Sequence, residues 1–279
     1  MFSIVVATYN QIDYLKICLK SIKKNSKYNH QVVVHVNEGT DGTLEYVKNE
    51  GYEYTHSHYN EGVCVSYNKA SRLVINNYII IMQDDMYFCP NWDVVFYKRI
   101  KEIKHDNFFL SGTMIQPFKS YIHLDCGKNF KEFDETKLLN EYDKIPHSDF
   151  QGTHWQPALL PVKTWRSVGG FSEEFSPGVG CDPDLNMKLW KKGVRIFHGL
   201  GSSRVYHFSS VTLRKKETTN NGAKTFLLKW GITIKFFKKF YLRTNEKYNG
   251  TLVEPNKNML YYIELFTCKL KYIYYKVLG

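Results

Sequence analysis

The chain has 279 residues, of which 43% are hydrophobic, and a formal net charge of +11, so it is long enough for a sizeable core and basic enough to favour nucleic acid, anionic lipid or phosphate-bearing substrates. No apolar run reaches the roughly 18 residues that span a bilayer, and because a strand-like run follows Met1 directly we expect no secretory signal. Six scattered cysteines without a Cys-x-x-Cys pair argue against a zinc ribbon and favour a reducing compartment, which makes a cytoplasmic location the expectation.

The first third of the chain alternates between strand and helix patterns. Strands are predicted at 3–9, 31–37, 52–57 and 78–83, and helices at 12–25, 43–51 and 62–74. Alternation of this kind is typical of βαβ units joined by right-handed crossovers. The sequence therefore predicts an α/β fold with a mostly parallel central sheet and helices on both of its faces.

The pattern loosens after residue 85. Helices are predicted at 91–103, 134–141 and 182–193, and strands at 107–115 and 194–199, with 116–160 rich in loops. The composition shifts near Arg214 towards lysine and aromatic residues, which predicts a first domain over 1–213 and a helical extension over 214–279.

Polar residues follow the predicted strands, and in open α/β sheets ligands bind at this carboxyl edge. At the first strand the backbone at Ala7 and the side chain of Tyr9 are candidates to hold a base. At the second, Asn37 and Asp41 are candidates to reach a base or a ribose. The alternative for this second stretch is a glycine-rich turn in which Thr43 caps a helix.

The fourth strand, "YIIIM", runs into Gln83, Asp84 and Asp85. Carboxylates that leave a buried strand need a positive partner, and hard cations such as Mg²⁺ and Mn²⁺ prefer carboxylate oxygens and often bridge to substrate phosphates. The alternative is that these acids belong to a turn before the helix that starts near Asn91.

A second acidic stretch is "GVGCDPDLNMKLW", in which Asp182 and Asp184 stand at a helix start. Acids at this position either interact favourably with the helix dipole or, for one of the two, act as a general base that deprotonates a hydroxyl group. Further on, "SSRVYHFSS" contains His207. A lone histidine is more often structural, but a neutral imidazole can also complete the shell of an ion beside Asp85.

In this order, over roughly residues 2–210, the motifs resemble those of family 2 glycosyltransferases with the GT-A fold. They are "SIVVATYNQIDYLKICLKSI", "NEGTDGTLEYV", "NEGVCVSYNKA", "IIIMQDDMYF", "GGFSEEF", "CDPDLNMKLWKKG" and "VYHF". The resemblance implies a nucleotide-sugar donor, a divalent cation (Mn²⁺ or Mg²⁺) and inversion at the anomeric carbon. It also implies a nucleotide-sugar-binding half over 1–115 and an acceptor-binding half over 116–213.

On the donor side, the resemblance places the family's Asp-x-Asp motif on Gln83, Asp84 and Asp85, with Asp85 as the metal-binding acid. Gln83 stands where the family usually has aspartate. The nucleotide-facing acid of the second strand falls on Asn37, and Asn68 of "NEGVCVSYNKA" is assigned to the donor site as well. A donor linked to UDP, GDP or dTDP is implied, without a choice among them.

On the catalytic side, the resemblance makes Asp182 the general base, with Cys181 in place of the usual neighbouring glutamate, and His207 the second metal ligand. The acceptor is implied to be a saccharide, a lipid-linked saccharide or another glycan. Candidate acceptor-binding residues are His154, Trp155, Gly170 and Asp184. Trp155 is equally consistent with a face that stacks on a sugar ring and with a side chain of the core.

The last predicted helix carries an apolar stripe at steps of three and four residues: Met259, Ile263, Phe266, Leu270, Ile273 and Val277. The stripe packs on the first domain or on another subunit, or it lies in a membrane interface with lysines towards the headgroups. We expect no nucleic-acid partner. The alternative to an enzyme is a GT-A-fold protein that binds nucleotide sugars or carbohydrate with weakened catalysis.

Overall fold

The computed structural model describes residues 1–118, 122–208 and 220–277, and these residues fold around one mixed β-sheet. Its strands within the described ranges are β1 Ser3–Tyr9, β2 Gln31–Asn37, β3 Glu53–Ser57, β4 Tyr78–Gln83, β5 Met86–Phe88, β6 Phe108–Gln116, β7 Ile122–His123, β8 Phe150–Gln151, β9 Ala158–Pro161 and β10 Ile196–His207. The order across the sheet is β3-β2-β1-β4-β9-β6-β10-β5, with β7 beside β6 and β8 beside β10.

Helices cover both faces of the sheet. Those described are α1 Ile12–Asn25, α2 Thr43–Asn49, α3 Val63–Ala70, α4 Trp92–Glu102, α5 Glu135–Glu141, α6 Val162–Ser167, α7 Cys181–Lys191, α8 Gly222–Trp230, α9 Ile234–Phe236 and α10 Met259–Val277. A π-helical turn at Phe237–Leu242 continues α9. Strand side chains alternate between two large apolar clusters, so that Ile79 and Ile81 belong to one and Ile80 and Met82 to the other.

The first part of the sheet follows the predicted parallel order. β1 pairs in parallel with β2 on one side and with β4 on the other, and β2 pairs in parallel with β3. Residues Ile79 to Met82 of β4 are buried, as expected for a parallel strand covered on both faces. The carboxyl ends of β1, β2 and β4 therefore lie side by side.

The second part of the sheet departs from the simple alternation. β9 is antiparallel to both β4 and β6 and so joins the two halves of the sheet. The loop-rich prediction for 116–160 included the start of this strand and did not identify it. The reason is its length, since the four residues of β9 are too few to show a period. The strand predicted at 194–199 extends to His207 as β10, with a register irregularity between Gly199 and Arg204.

The C-terminal helices pack on the rest of the molecule. Phe226 of α8, Phe236 of α9 and Tyr261 and Cys268 of α10 are buried in the same cluster as Trp190. The apolar stripe predicted on the last helix is not the packed face, because its six residues are all more than half exposed. The boundary predicted at 213/214, near Arg214, lies outside the described residues.

Candidate functional site

The candidate site lies at the carboxyl edge of the sheet, where the end of β4 meets the end of β10. β10 runs antiparallel to β5, and its register places His207 opposite Met86. Because β5 starts directly after Asp85, this pairing carries the imidazole to the acid. The His207 Nε2 and Asp85 Oδ1 atoms are 3.3 Å apart, and both side chains are buried.

Two glutamines also contact His207. Its Nε2 is 2.9 Å from Oε1 of Gln83, and its Nδ1 is 3.2 Å from Nε2 of Gln116. The oxygens near Nε2 and the amide nitrogen near Nδ1 suit the tautomer that has its proton on Nε2. Gln83, which replaces the aspartate usual at this position, therefore points its oxygen at the same place as Asp85.

These three side chains fit a divalent cation by the chemistry of their donor atoms. A carboxylate oxygen, an amide oxygen and an imidazole nitrogen are ligands for Mn²⁺ and Mg²⁺, with remaining positions left to phosphate and water. Among the described residues, no group of three or more His, Cys, Asp or Glu side chains is placed to hold a metal ion. Binding through Nε2 of His207 requires the proton to move to Nδ1 and the Gln116 amide to turn its oxygen towards it.

Asp84 lies beside this group and is itself buried. Burial, and then the negative charge of Asp85, raise the pKa of its carboxyl group to about 7. A cation next to Asp85 would favour the ionised form of Asp84, because it would cancel that negative neighbour.

Asp182 stands in the first turn of α7 and is held by a short polar chain. Gln156 donates from Nε2 to Asp182 Oδ1 at 3.3 Å, and the hydroxyl of Tyr67 lies 2.9 Å from Gln156 Oε1 and 2.8 Å from the carbonyl oxygen of Met82. Burial raises the pKa of Asp182 to about 6, and the hydrogen bond from Gln156 opposes that rise. Such a carboxyl group is ionised near neutral pH and still able to accept a proton.

Tyr67 connects the two acidic groups of the site. Burial raises the pKa of its hydroxyl well above the usual value, and the charges of Asp182, Asp84 and Asp85 raise it further. The charges of the β4–β5 turn and of α7 therefore both act on this buried hydroxyl. Sequence reasoning missed Tyr67 and Gln156, although Gln156 follows Trp155 directly in the stretch "QGTHWQP".

The residues predicted to contact the base are engaged within the protein. Asn37 is buried, its Nδ2 donates to Ser66 and to the carbonyl oxygen of Thr8, and its Oδ1 accepts from the backbone of Glu61. A base contact by Asn37 requires one of these bonds to be exchanged. Tyr9 is partly exposed at the end of β1, whereas Ala7, two residues earlier on the same face of the strand, is buried.

Asp41 and Asn68 also make contacts that organise loops. Asp41 is exposed and accepts from the backbone N–H of Ile12 at 2.9 Å and of Thr43 at 3.1 Å, so the acid rather than the threonine caps this turn. Asn68 donates to the carbonyl oxygen of Phe171 and accepts from its N–H, both at 2.9 Å. Their donor-binding roles remain predictions.

The four predicted acceptor residues lie in two places. His154 and Trp155 are partly exposed between β8 and β9; Trp155 stacks on Phe150 with ring centroids 5.0 Å apart, and burial and Lys238 lower the pKa of His154 to about 3. Gly170 is buried against Asn68. An acceptor role for these residues stays a prediction.

Asp184 is fully buried, unlike Asp182 two residues earlier. It accepts from Ser172 Oγ at 2.6 Å and from Trp230 Nε1 at 2.8 Å, and Lys229 Nζ lies 3.0 Å away. These contacts tie α7 to α8. These contacts favour an anchoring role for Asp184, and the acceptor role stays a prediction.

Comparison with known proteins finds a matching family and a related protein. Residues 3–155 match the family described as "Glycosyl transferase family 2". The "Uncharacterized glycosyltransferase MG025" of Mycoplasma genitalium is 28% identical over 160 residues, which cover 53% of this chain and 50% of that protein. The chain thus spans about half the length of this curated relative.

Solved structures show the same fold at low identity. The fragment 1–349 of TarS from S. aureus superposes with a TM-score of 0.57 at 17% identity, over 75% of this chain and 60% of that one, and it has also been solved with UDP and with UDP-GlcNAc. GalNAc-T7 with UDP, GalNAc and Mn²⁺ superposes with a TM-score of 0.57 at 14% identity, over 74% of this chain and 43% of that one.

Proposed function

Because the chain belongs to glycosyltransferase family 2 and has the GT-A fold, we propose that it is an inverting glycosyltransferase that uses a nucleotide-sugar donor. The observation that carries this proposal is the shared environment of Tyr67. Its hydroxyl bonds to the carbonyl oxygen of Met82, just before Gln83 and the acids of the sheet edge, and to Gln156, which donates to Asp182, so one hydrogen-bonded chain links the two proposed ends of the site.

On the donor side, Asp85 and His207 would hold a Mn²⁺ or Mg²⁺ ion, with the amide oxygen of Gln83 as a third donor atom. When bound, the ion supplies Lewis-acid stabilisation of the departing diphosphate. The protein's own part is to hold these side chains in place: β5 and β10 fix the distance between Asp85 and His207, and Gln116 orients the imidazole.

On the acceptor side, Asp182 would take the proton of an acceptor hydroxyl. The hydroxyl oxygen forms a bond to the anomeric carbon of the sugar, the bond from that carbon to the diphosphate oxygen breaks, and the nucleoside diphosphate leaves with the electron pair. Attack on the face opposite the leaving group inverts the configuration. Gln156 keeps the carboxylate oriented and ionised, since its donated hydrogen bond favours the charged form.

The substrates are proposed from chemistry and from the neighbours. UDP is the first nucleotide to test, because TarS and GalNAc-T7, which share the fold, have been solved with it. The acceptor is proposed to be a saccharide or a lipid-linked saccharide. The partly exposed Trp155 supports this, since a flat aromatic face can pack against a sugar ring.

The second candidate is a nucleotide-sugar or carbohydrate-binding protein with weakened catalysis. It is favoured by Asn37, whose amide group is engaged on both sides, and by Gln83 and Cys181, which replace acids usual in the family. Both candidates predict ligand binding, but only the enzyme predicts turnover.

The test combines binding and turnover in one set of samples. Thermal unfolding is measured with UDP-, GDP- and dTDP-sugars, each with and without Mn²⁺, and hydrolysis of the donor is followed in parallel. We expect one donor to raise the unfolding temperature only with Mn²⁺ and to be hydrolysed slowly. A metal-independent shift would contradict the role of Asp85 and His207, and tight binding without hydrolysis or transfer would favour the second candidate.

A further inference from the structure

The last helix, α10, has two apolar faces, and the protein covers one of them. Tyr261 and Cys268 are buried against the core, and Leu265, Tyr272 and Tyr275 pack beside them. On the opposite side lies what we call the outer stripe. Its members and their exposed fractions are Met259 79%, Ile263 53%, Phe266 62%, Leu270 52%, Ile273 57% and Val277 72%.

The outer stripe is one continuous surface. At about 100° per residue, its six positions fall within a narrow sector of the helix that points away from Tyr261 and Cys268. Tyr262 and Tyr274 extend it, with exposed fractions of 56% and 57%. An exposed apolar face of this length marks an interaction surface, because such area is costly to leave in water.

The charges around the outer stripe identify the kind of partner. Lys269 and Lys276 flank it on one side and Lys271 on the other, and all three are exposed. The single acid of α10, Glu264, lies 2.5 Å from Lys239 and is thus paired within the protein. The flanks of the stripe are therefore cationic on both sides.

The segment beneath α10 adds to this positive charge. Phe236 and Phe240 contact the ring of Tyr261, and the same segment borders an open cavity of about 430 Å³. Lys235 and Lys238 line that cavity, together with Lys239 and Arg243, which pair with Glu264 and Glu246.

We propose that α10 docks on an anionic lipid surface, with the outer stripe in the interface and its lysines at the headgroups. A second copy of the chain fits less well, because two such helices placed face to face bring cationic flanks together. The mode is peripheral, since no helix in the described ranges is long and apolar enough to cross a bilayer. The proposal goes beyond the proposed transferase activity, and its readout is binding alone.

The test is flotation of the full chain with vesicles of phosphatidylcholine, alone or mixed with phosphatidylglycerol. We expect the protein to float with the anionic vesicles and to be released by salt. The variant Phe266→Ser/Ile273→Ser should bind at least about tenfold more weakly, since it removes two apolar side chains from the stripe. The variant Lys269→Gln/Lys276→Gln should lose about fivefold for each charge removed.

The matched control is Ile75→Ser/Val253→Ser, which changes two exposed apolar residues outside α10, with exposed fractions of 78% and 69%. It should bind like the unchanged chain, and all variants should keep the same unfolding temperature. The proposal is overturned if the unchanged chain ignores anionic vesicles or if the stripe variant binds as well as the control. It is also overturned if the chain is a dimer in solution that the stripe variant dissociates, which would identify a second copy as the partner.

Discussion

At the scale of single residues, Asp182 and Asp184 are of the same type but have different partners. Both stand in the first turn of α7, where acids favour the helix dipole. Asp182 is partly exposed and accepts a hydrogen bond from Gln156, whereas Asp184 is fully buried and accepts from Trp230 of α8 and from Ser172. Substitutions at the two positions should therefore separate catalysis from stability.

We predict that Asp182→Asn lowers the transfer rate by about 100- to 10,000-fold, because it removes the general base. Donor binding, measured by thermal shift with Mn²⁺, should remain. The control Asp184→Ala should instead destabilise the protein by about 2 to 4 kcal/mol, because the N–H group of Trp230 and the hydroxyl of Ser172 lose their buried acceptor and Lys229 loses one of its two carboxylates. A transfer rate that survives Asp182→Asn would remove the base from the proposal.

The pH dependence of the rate gives a second test at this scale. With the pKa of Asp182 at about 6, the rate of transfer should fall as the pH drops below that value, since the base becomes protonated. The hydrogen bond from Gln156 lowers this pKa, so Gln156→Leu should shift the acid limb of the profile to higher pH. An unchanged acid limb in Gln156→Leu would mean that Gln156 does not act on Asp182.

Much of the candidate site is visible in the sequence, but its connections are not. Asp85, Asp182 and His207 stand in motifs whose order resembles a known family, and the structure brings Asp85 and His207 together. Gln156 and Tyr67 carry no such signal, because a glutamine and a buried tyrosine acquire a role only through what the fold places beside them. The contacts of Asn37 and Asn68 were likewise hidden, since an amide serves a ligand or a loop equally well.

At the scale of elements, the turn that follows α6 depends on a glycine. Gly170 has a φ of +64°, and a Cβ atom placed there would lie 2.4 Å from Asn68 Oδ1 and 2.8 Å from the ring of Trp165. The neighbouring Gly169 has a φ of +71° but nothing within 4 Å of its Cβ position. Comparing substitutions at these two glycines therefore separates the cost of backbone strain, which both share, from the cost of a steric clash, which only Gly170 has.

We predict that Gly170→Ala destabilises the protein by about 1 to 3 kcal/mol more than Gly169→Ala, because both pay for a left-handed conformation but only the former clashes. The free energy of unfolding from denaturant titration measures the difference. Equal effects of the two substitutions would show that Asn68 and Trp165 can move aside.

The elements themselves were predictable to different degrees. Up to Gln83 the predicted strands and helices follow the structure closely, because apolar periodicity there is long and regular. β5 and β9, of three and four residues, were not predicted, yet β5 aligns His207 with the acids and β9 joins the halves of the sheet. Pairing between distant strands supplies what a short segment cannot show by itself.

At the scale of the whole molecule, the C-terminal segment is part of the same body as the crevice. Asp184 of α7 is tied to Trp230 and Lys229 of α8, and Arg195 lies 3.9 Å from the ring centroid of Trp190 and pairs with Glu254. The base of the proposed reaction thus stands on a helix that the C-terminal segment braces. The outer stripe of α10 faces away from this body.

The central claim is that distant parts of the chain hold one divalent cation at the sheet edge. Crystals grown with Mn²⁺ and UDP, with data collected at a wavelength where manganese scatters anomalously, test it most directly. The account predicts one strong anomalous peak at about 2.1 Å from Asp85 and from Nε2 of His207. A peak elsewhere, or UDP bound with His207 still hydrogen-bonded to Gln83 and no manganese beside it, would contradict it.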